Sequence, residues 1–111
     1  MISHAKPIII LALGLLLAGA QTLANAQTRG DAEKGYRFAE RVCAECHAIG
    51  ENQSDSPNRA APNFSAIAQS PGMSEIALSV FLRTPHDTMP NLVLSVDEMT
   101  DVIAYIVSLK D

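Results

Sequence analysis

The sequence predicts a small all-α domain that closes around a bound group. Apolar residues recur at helical spacing in several segments, and no segment shows the alternating pattern of a β-strand. Clear helix start signals precede the first and the last of these segments. The region predicted to fold has no Trp and only five Phe and Tyr residues. A domain of this size buries little apolar surface and usually needs a disulfide, a metal or a cofactor.

Residues 1–26 have the features of a secretory signal peptide. A short basic start precedes an apolar run of 14 residues, Pro7 to Ala20, and a polar stretch that ends in Ala24-Asn25-Ala26. Small residues at this end predict cleavage after Ala26, although cleavage after Ala20 also fits the pattern. The alternative is a retained anchor, which needs roughly 20 apolar residues. We therefore expect a periplasmic domain, residues 27–111, without stable membrane insertion.

The first predicted helix starts at Gly30-Asp31. Asp31 suits the N-cap, and Glu33 lies in the first turn, where the helix dipole favours an acidic residue. Apolar residues then form a stripe that runs into Cys43. This stripe consists of Gly35, Phe38, Ala39 and Val42. Residues 48–62 are rich in Gly, Asn, Ser, Asp and Pro and predict a surface loop.

Two shorter helices are predicted in the middle of the domain. The first covers one or two turns at residues 63–68, and the second runs from its N-cap Ser74 to Leu82, before Pro85. The residues expected to face inward are Phe64 and Ile67 in the first helix, and Ile76, Ala77, Val80 and Phe81 in the second.

The last helix has the strongest start signal in the chain. Ser95 and Glu98 form an S-x-x-E capping box, and Leu94 and Met99 stand at the positions of a hydrophobic staple. The apolar face of this helix consists of Met99, Val102, Ile103, Ile106 and Leu109. Because the first and last helices each need a partner for their apolar faces, we expect them to pack together and against a shared apolar object.

The pentapeptide Cys43-Ala44-Glu45-Cys46-His47 matches Cys-x-x-Cys-His, the attachment signature of c-type haem. Two thiols about one helical turn apart can each add to one of the two vinyl groups of haem, forming two thioether bonds. His47 is then held beneath the ring with its imidazole directed at the iron. We expect a cavity for this group, faced by Cys43 and Cys46. Its predicted lining is Phe64, Ile67, Phe81, Met89 and Leu92.

Three other kinds of site use similar cysteines. A redox-active dithiol is expected at a strand end in a βαβ unit, a context that this sequence does not predict. A disulfide between Cys43 and Cys46 closes too small a loop to stabilise the domain much. A zinc site needs about four ligands, and the mature chain offers only the two cysteines, His47 and His86. Together with the export signal, the pentapeptide favours haem.

The ligand on the second axial position of the iron decides between electron transfer and ligand binding. The candidates are Met73, His86, Met89 and Met99. Met99 lies on the apolar face of the last helix, and Met73 precedes a helix N-cap. We interpret His86 as a solvent-facing loop residue, with bis-His ligation as the alternative. Met89 lies in a polar, proline-braced loop at residues 85–91, where ligation would explain an apolar thioether.

From about Gly30 to Leu109 the chain resembles the class I cytochrome c family. The matching features are Gly35 and Phe38 before Cys-x-x-Cys-His, a proline after the loop, Met89-Pro90-Asn91, and Ala104-Tyr105-Ile106 with Ser108-Leu109 in the closing helix. The resemblance implies the small class I cytochrome c fold. In this fold the N- and C-terminal helices cross, here near Gly35 and Tyr105, and shorter helices surround one covalent haem c.

The resemblance also implies the ligands of the iron. It makes Met89 the sixth ligand, and it makes Pro62 the residue whose carbonyl accepts the N–H of His47, with Pro57 as the alternative. Met89 follows His47 by 42 residues. This short spacing resembles the small bacterial members of the family and implies a more exposed haem edge.

These features predict a periplasmic electron-transfer protein that carries one electron on a His/Met-ligated haem and is not an enzyme. The alternatives are a haem subunit of a larger oxidoreductase, or a haem-based ligand binder if Met89 is not a ligand. Without Lys6, seven basic residues stand against twelve acidic ones, a net charge of −5 that disfavours nucleic acid. We expect a monomer that meets a redox protein donor and acceptor in brief, weak encounters.

Overall fold

The computed structural model describes residues 29–84, 86 and 88–111, and this part of the chain is helical, as predicted. Its helices are α1 (Ala32–Val42), α2 (Phe64–Gln69), α3 (Glu75–Arg83) and α4 (Val96–Ser108). The one β feature within the described residues is an isolated antiparallel bridge between His86 and Met89. The predicted signal peptide, residues 1–26, and Pro85 lie outside the described residues. Within the described part, no helix combines the length and apolar character needed to cross a bilayer.

Helix α1 begins at the N-cap predicted from the sequence. The Asp31 carboxylate accepts hydrogen bonds from the backbone N–H groups of Glu33 and Lys34, at 3.0 and 3.1 Å. These bonds satisfy donors that have no partner within the helix. The backbone N–H of Asp31 in turn donates to the Asp101 carboxylate at 2.7 Å. The start of α1 is therefore fixed both locally and to α4.

Helices α1 and α4 form the main packing interface of the domain. They cross where Gly35 of α1 meets Asp101 and Tyr105 of α4. A Cβ atom at position 35 would overlap the backbone carbonyl of Asp101 and lie 2.9 Å from the Tyr105 Cβ. Only glycine permits the two backbones to approach this closely. The predicted crossing near Gly35 and Tyr105 is confirmed.

Helix α4 starts with the predicted capping box. The Ser95 hydroxyl accepts from the Glu98 backbone N–H at 3.2 Å, and the Glu98 carboxylate accepts from the Ser95 backbone N–H at 2.8 Å. The bond from the Ser95 backbone N–H, followed by the nearby Ser95 hydroxyl, lowers the pKa of the Glu98 carboxyl. The predicted apolar face follows and is buried in the core at Met99, Val102, Ile103, Ile106 and Leu109. Helix α2 begins at the N-cap Asn63, whose side chain accepts from the Ala66 backbone N–H.

The inward face predicted for α3 is wrong in part. Ile76 and Val80 are 78% and 57% exposed, whereas Leu78 is buried. Leu78 and Leu82 are four residues apart and share one face of the helix, but Ile76 and Val80 stand about 200° away from Leu78. Phe81 is on the side of Leu78 yet stays half-exposed, because it faces the cavity described below. Val42 in α1, also predicted to be buried, is 37% exposed.

Residues 48–62 connect α1 to α2 as an irregular loop, as predicted, but the start of this loop belongs to the core. Ala48 and Ile49 are buried. The Tyr105 hydroxyl of α4 donates to the Ile49 carbonyl at 2.6 Å, and the Phe64 N–H donates to the Ala48 carbonyl at 2.9 Å. The start of the loop is therefore bonded to α4 through the Ile49 carbonyl and to the start of α2 through the Ala48 carbonyl.

Candidate functional site

The cysteine pentapeptide continues the C-terminal end of helix α1. The N–H of Cys43 donates to the Ala39 carbonyl at 2.8 Å, and the N–H of His47 donates to the Cys43 carbonyl at 2.9 Å. The N–H of Cys46 also bonds to the Cys43 carbonyl, at 3.1 Å. Residues 43–47 thus form one further turn, which gives the two cysteines the spacing expected from the motif.

The imidazole of His47 is oriented by a hydrogen bond to the loop. Its Nδ1 lies 2.6 Å from the carbonyl oxygen of Pro62. The partner is therefore Pro62 and not the alternative residue, Pro57. Since a carbonyl can only accept, Nδ1 carries the proton of the neutral ring. The lone pair of His47 is therefore on Nε2, the atom available to a metal.

Pro62 is held in place by the residues that follow it. Asn63 caps α2 through its side-chain oxygen, which accepts from the Ala66 N–H at 2.7 Å, and its side-chain amide donates to the Ser54 carbonyl at 3.0 Å. On the other side, the N–H of Asn58 donates to the Cys46 carbonyl at 3.1 Å. The loop that carries the Pro62 carbonyl is thus bonded to the cysteine turn itself.

An apolar cavity of about 390 Å³ opens beside His47. This volume falls within the roughly 300–1,000 Å³ of ligand pockets in proteins. The five residues predicted to line it do so: Phe64, Ile67, Phe81, Met89 and Leu92. Cys43 also lines the cavity, whereas Cys46 does not and is half-buried in the turn beside it. The expectation that both cysteines face the cavity is therefore wrong for Cys46.

Several residues of the lining were not assigned to it from the sequence. Leu78 and Leu82 come from α3, and Val102 and Ile106 come from α4. Val102 and Ile106 were predicted to lie on the apolar face of α4, which was expected to pack against the first helix and a shared apolar object. Met73 also lines the cavity. The sequence suggested only a helix-entry contact for it.

His86 is placed differently from its predicted position. It is half-buried, lines the cavity, and stacks on Phe81 with ring centroids 5.5 Å apart and an interplanar angle of 25°. The interpretation of His86 as a solvent-facing residue is therefore wrong. Three of the four sixth-ligand candidates line the cavity, namely Met73, His86 and Met89. Met99, by contrast, is a buried core residue outside the lining.

The electrostatic character of the site follows from its apolar walls. Burial raises the pKa of the Cys43 thiol to about 11, so a free thiol at this position is protonated at neutral pH. A thioether at the same position has no proton to lose and suits these walls better. Among the described residues, no charged side chain is fully buried.

These features fit the haem that the motif predicts. The cavity offers apolar walls to a flat macrocycle, Cys43 at its edge for covalent attachment, and a His47 ring whose Nε2 is available. A rival zinc site has less support: among residues 29–84, 86 and 88–111, no group of three or more His, Cys, Asp or Glu side chains could hold a metal ion.

Comparison with known proteins agrees with this site. The profile of the family described as "Cytochrome c" matches residues 32–110. Cytochrome c-552 of Bradyrhizobium diazoefficiens is 38% identical to the chain over 96 residues, which cover 86% of this chain and 90% of that relative. No solved structure matches the chain significantly.

Proposed function

Because the chain belongs to the cytochrome c family and carries one haem c bound through Cys43 and Cys46, we propose that it is a periplasmic electron carrier with His47 and Met89 as axial ligands. That it carries electrons on haem follows from the family. The proposal concerns the ligands and the compartment. The observation that supports it best is the 2.6 Å contact between His47 Nδ1 and the Pro62 carbonyl, beside a cavity that Met89 also lines.

Contacts within the protein itself fix the orientation of the His47 imidazole. The hydrogen bond to Pro62 selects the tautomer with the lone pair on Nε2, and the Phe64 ring packs against the imidazole at 5.5 Å between centroids. Both contacts restrict rotation of the ring. A hydrogen bond to Nδ1 also makes the imidazole a stronger electron donor, and this tunes the iron.

The second ligand that we propose, Met89, has a soft and neutral sulfur donor. Met89 lies in the segment after α3 and pairs with His86 in the isolated bridge, which restricts the position of its backbone. His86 is stacked on Phe81, an arrangement that occupies its ring with an aromatic partner. Met73 is tied through its backbone to Ser70 and Lys110. Of the three candidates, Met89 is the one with a polar loop context and no aromatic stacking partner or helix-entry role of its own.

The bound haem supplies an iron that alternates between Fe(III) and Fe(II). A thioether sulfur favours Fe(II), so the Met89 side chain raises the reduction potential relative to a second imidazole. Apolar residues of α2, α3 and α4 line the cavity and would shield the bound group from water. If His47 and Met89 both bound the iron, they would leave no position for a substrate there. Electron carriers of this family are generally not enzymes.

We expect Met89→Ala to lower the reduction potential of the haem protein. A hundredfold loss in the preference for Fe(II) over Fe(III) corresponds to about 120 mV for a one-electron couple. Redox titration of the purified haem protein measures this shift. Met73→Ala and His86→Ala are the matched controls, since both residues also line the cavity. A large fall of the reduction potential in Met73→Ala or in His86→Ala, with the potential of Met89→Ala unchanged, would assign the sixth ligand to the residue whose replacement lowers the potential.

The periplasmic location is supported by the signal-like residues 1–26. We expect the haem protein purified from cells to begin at Gln27, since the Ala24-Asn25-Ala26 stretch fits signal peptidase specificity. Intact-mass spectrometry of the mature protein tests this. A haem protein that begins at Met1 and stays with the membrane fraction would instead support a retained anchor.

A further inference from the structure

The outer face of helix α3 carries a row of apolar side chains that is open to solvent. Ile76 and Val80 are the most exposed large apolar residues of this helix. They are four residues apart, so only about 40° separates them around the helix and their side chains form one row. Leu78, on the opposite side, is buried in the core. A single exposed aliphatic side chain is ordinary on a protein surface, but a row on one helix face is a candidate interaction surface.

A second row, next to the apolar one, carries opposite charges at its two ends. Glu75 lies in the first turn of α3, Arg83 lies in the last turn, and the half-buried Ser79 lies midway between them. The two charged residues are therefore about 12 Å apart along the helix. Both are exposed, and neither makes an ion pair within the described residues. This charged row borders a small groove of about 110 Å³, whose other wall includes the exposed Val96 of α4.

Both rows match themselves when helix α3 is turned end for end. A two-fold axis that passes near Ser79 at a right angle to the helix places α3 antiparallel to α3 of a second copy. Glu75 of each copy then faces Arg83 of the other copy, and the row of Ile76 and Val80 faces its own reverse. A parallel arrangement would instead bring Glu75 against Glu75 and Arg83 against Arg83, and like charges in contact oppose association. The charge pattern of α3 is therefore complementary to that of a second, antiparallel α3.

The outer face of α3 is distinct from the face that borders the cavity. Phe81 lines the cavity and lies about 100° from Val80 around the helix. A redox partner must approach the bound haem, and this requirement does not select the face with Ile76 and Val80. The self-complementary charges favour a second copy of the chain as the occupant of this face.

We propose that the outer face of α3 is the interface of a weak two-fold dimer, with Ile76 and Val80 in contact across the axis and a Glu75–Arg83 ion pair at each end. The apolar row supplies the attraction, since its burial removes it from water. Exposed ion pairs add little affinity, but they fix the antiparallel orientation. The dimer does not depend on which residues bind the iron.

The size of the contact sets its strength. Helix α3 has nine residues, so one helix face from each copy buries less than the roughly 1,200 Å² at the lower end of stable interfaces. We therefore expect a dissociation constant of about 0.1–1 mM. The net charge of −5 expected for the mature chain opposes association, but physiological salt screens this repulsion beyond about 8 Å. The monomer expected from the sequence is then the form at low concentration.

Sedimentation equilibrium of the purified haem protein, at an ionic strength of about 0.15 M, tests whether the dimer exists. We expect the average mass to rise from monomer toward dimer between about 0.02 and 2 mM protein. Ile76→Ser/Val80→Ser should raise the dissociation constant at least about tenfold, because it removes the apolar row. Both side chains are exposed, so this variant should keep its helical circular dichroism. A wild-type protein that stays monomeric throughout this range would overturn the proposal.

The orientation is tested by exchanging the charges at the two ends of α3. Glu75→Arg alone and Arg83→Glu alone should each stay monomeric, because like charges then meet at both ends of the contact. An equimolar mixture of these two variants should associate again, since every contact in the mixed dimer pairs an arginine with a glutamate. Mixing would not repair a folding defect in either variant. A mixture that stays monomeric would contradict the antiparallel contact.

Two control variants make the same changes of net charge elsewhere. Glu51→Arg changes the loop after the cysteine turn, and Lys34→Glu changes α1, which does not contact α3 within the described structure. Both should keep the wild-type dissociation constant. A loss of association in these controls as large as in the α3 variants would show that net charge governs association and would overturn the assigned surface. The proposed electron carrier would still stand, because its redox potential and ligands are measured on the monomer.

Discussion

Replacing Cys43 and Cys46 together by alanine is expected to abolish haem staining after denaturing electrophoresis and to leave the chain largely unfolded. Without its haem, the domain would have to keep a cavity of about 390 Å³. The apolar walls that the haem covers would then be exposed to water. The whole stability of a small domain is about 5–15 kcal/mol, too little to absorb the loss of this burial. The α-helical circular dichroism should therefore fall together with the stain.

The single variants separate the two thioether bonds. Cys43→Ala and Cys46→Ala should each keep one covalent bond and so retain stain, with less stable haem-bound protein. His86→Ala is a matched control, because it changes a residue of the cavity without changing a predicted attachment site. Stain that survives in the Cys43→Ala/Cys46→Ala protein would refute covalent attachment through these residues.

Gly35→Ala is expected to destabilise the haem protein by about 3 kcal/mol, the upper end of the usual cost of overpacking. The added Cβ would overlap the Asp101 carbonyl, a backbone group that cannot rotate away. Helix propensity alone predicts the opposite, a gain of about 1 kcal/mol for alanine over glycine. For a domain of this size, 3 kcal/mol corresponds to a fall in Tm of roughly 12–24 °C. Thermal unfolding followed by circular dichroism measures it.

Gly50→Ala is the control for this prediction. The atoms nearest to a Cβ at position 50 belong to the far end of the Gln53 side chain, starting at 3.0 Å, and this side chain can shift at the cost of its bond to the Gly50 N–H. We expect little change in Tm for Gly50→Ala. Equal effects of the two substitutions, or a more stable Gly35→Ala protein, would show that the close approach of α1 and α4 is not a constraint on the fold.

The features that the sequence predicted well are those with local causes. The N-caps at Asp31 and Ser74 and the capping box at Ser95 depend on residues within one turn of the helix start, and each is present in the structure. The same holds for the cysteine turn, since its spacing is set by backbone bonds within residues 43–47. The packing of α1 on α4 was predictable because each helix has one clearly apolar face.

The features that were predicted poorly depend on the rest of the molecule. Helix α3 is apolar on more than one side, so its periodicity could not decide between the face with Ile76 and the face with Leu78. The contact with α4 and the cavity selects Leu78. His86 was misplaced because its stacking partner Phe81 lies on a different element. Ile49 belongs to the hydrophobic core, and its carbonyl accepts from the Tyr105 hydroxyl, a contact across 56 residues that no local pattern reveals.

Among the site residues, too, those indicated by local patterns were predicted correctly, and those placed by distant contacts were not. Cys43 and the five predicted lining residues were found because the motif and the apolar patterns point to one cavity. Cys46 is not among the lining residues, and its backbone carbonyl is bonded to the N–H of Asn58 in the following loop. The structure also adds Met73 and His86 to the lining, two residues that the sequence did not place there.

The most direct test of the account is the absorption spectrum of the oxidised wild-type haem protein at neutral pH. Ligation of Fe(III) by the Met89 sulfur predicts a weak sulfur-to-iron charge-transfer band together with a low-spin spectrum. The band should vanish in Met89→Ala and persist in Met73→Ala. A wild-type spectrum that lacks the band and has high-spin character would contradict the His47/Met89 electron carrier.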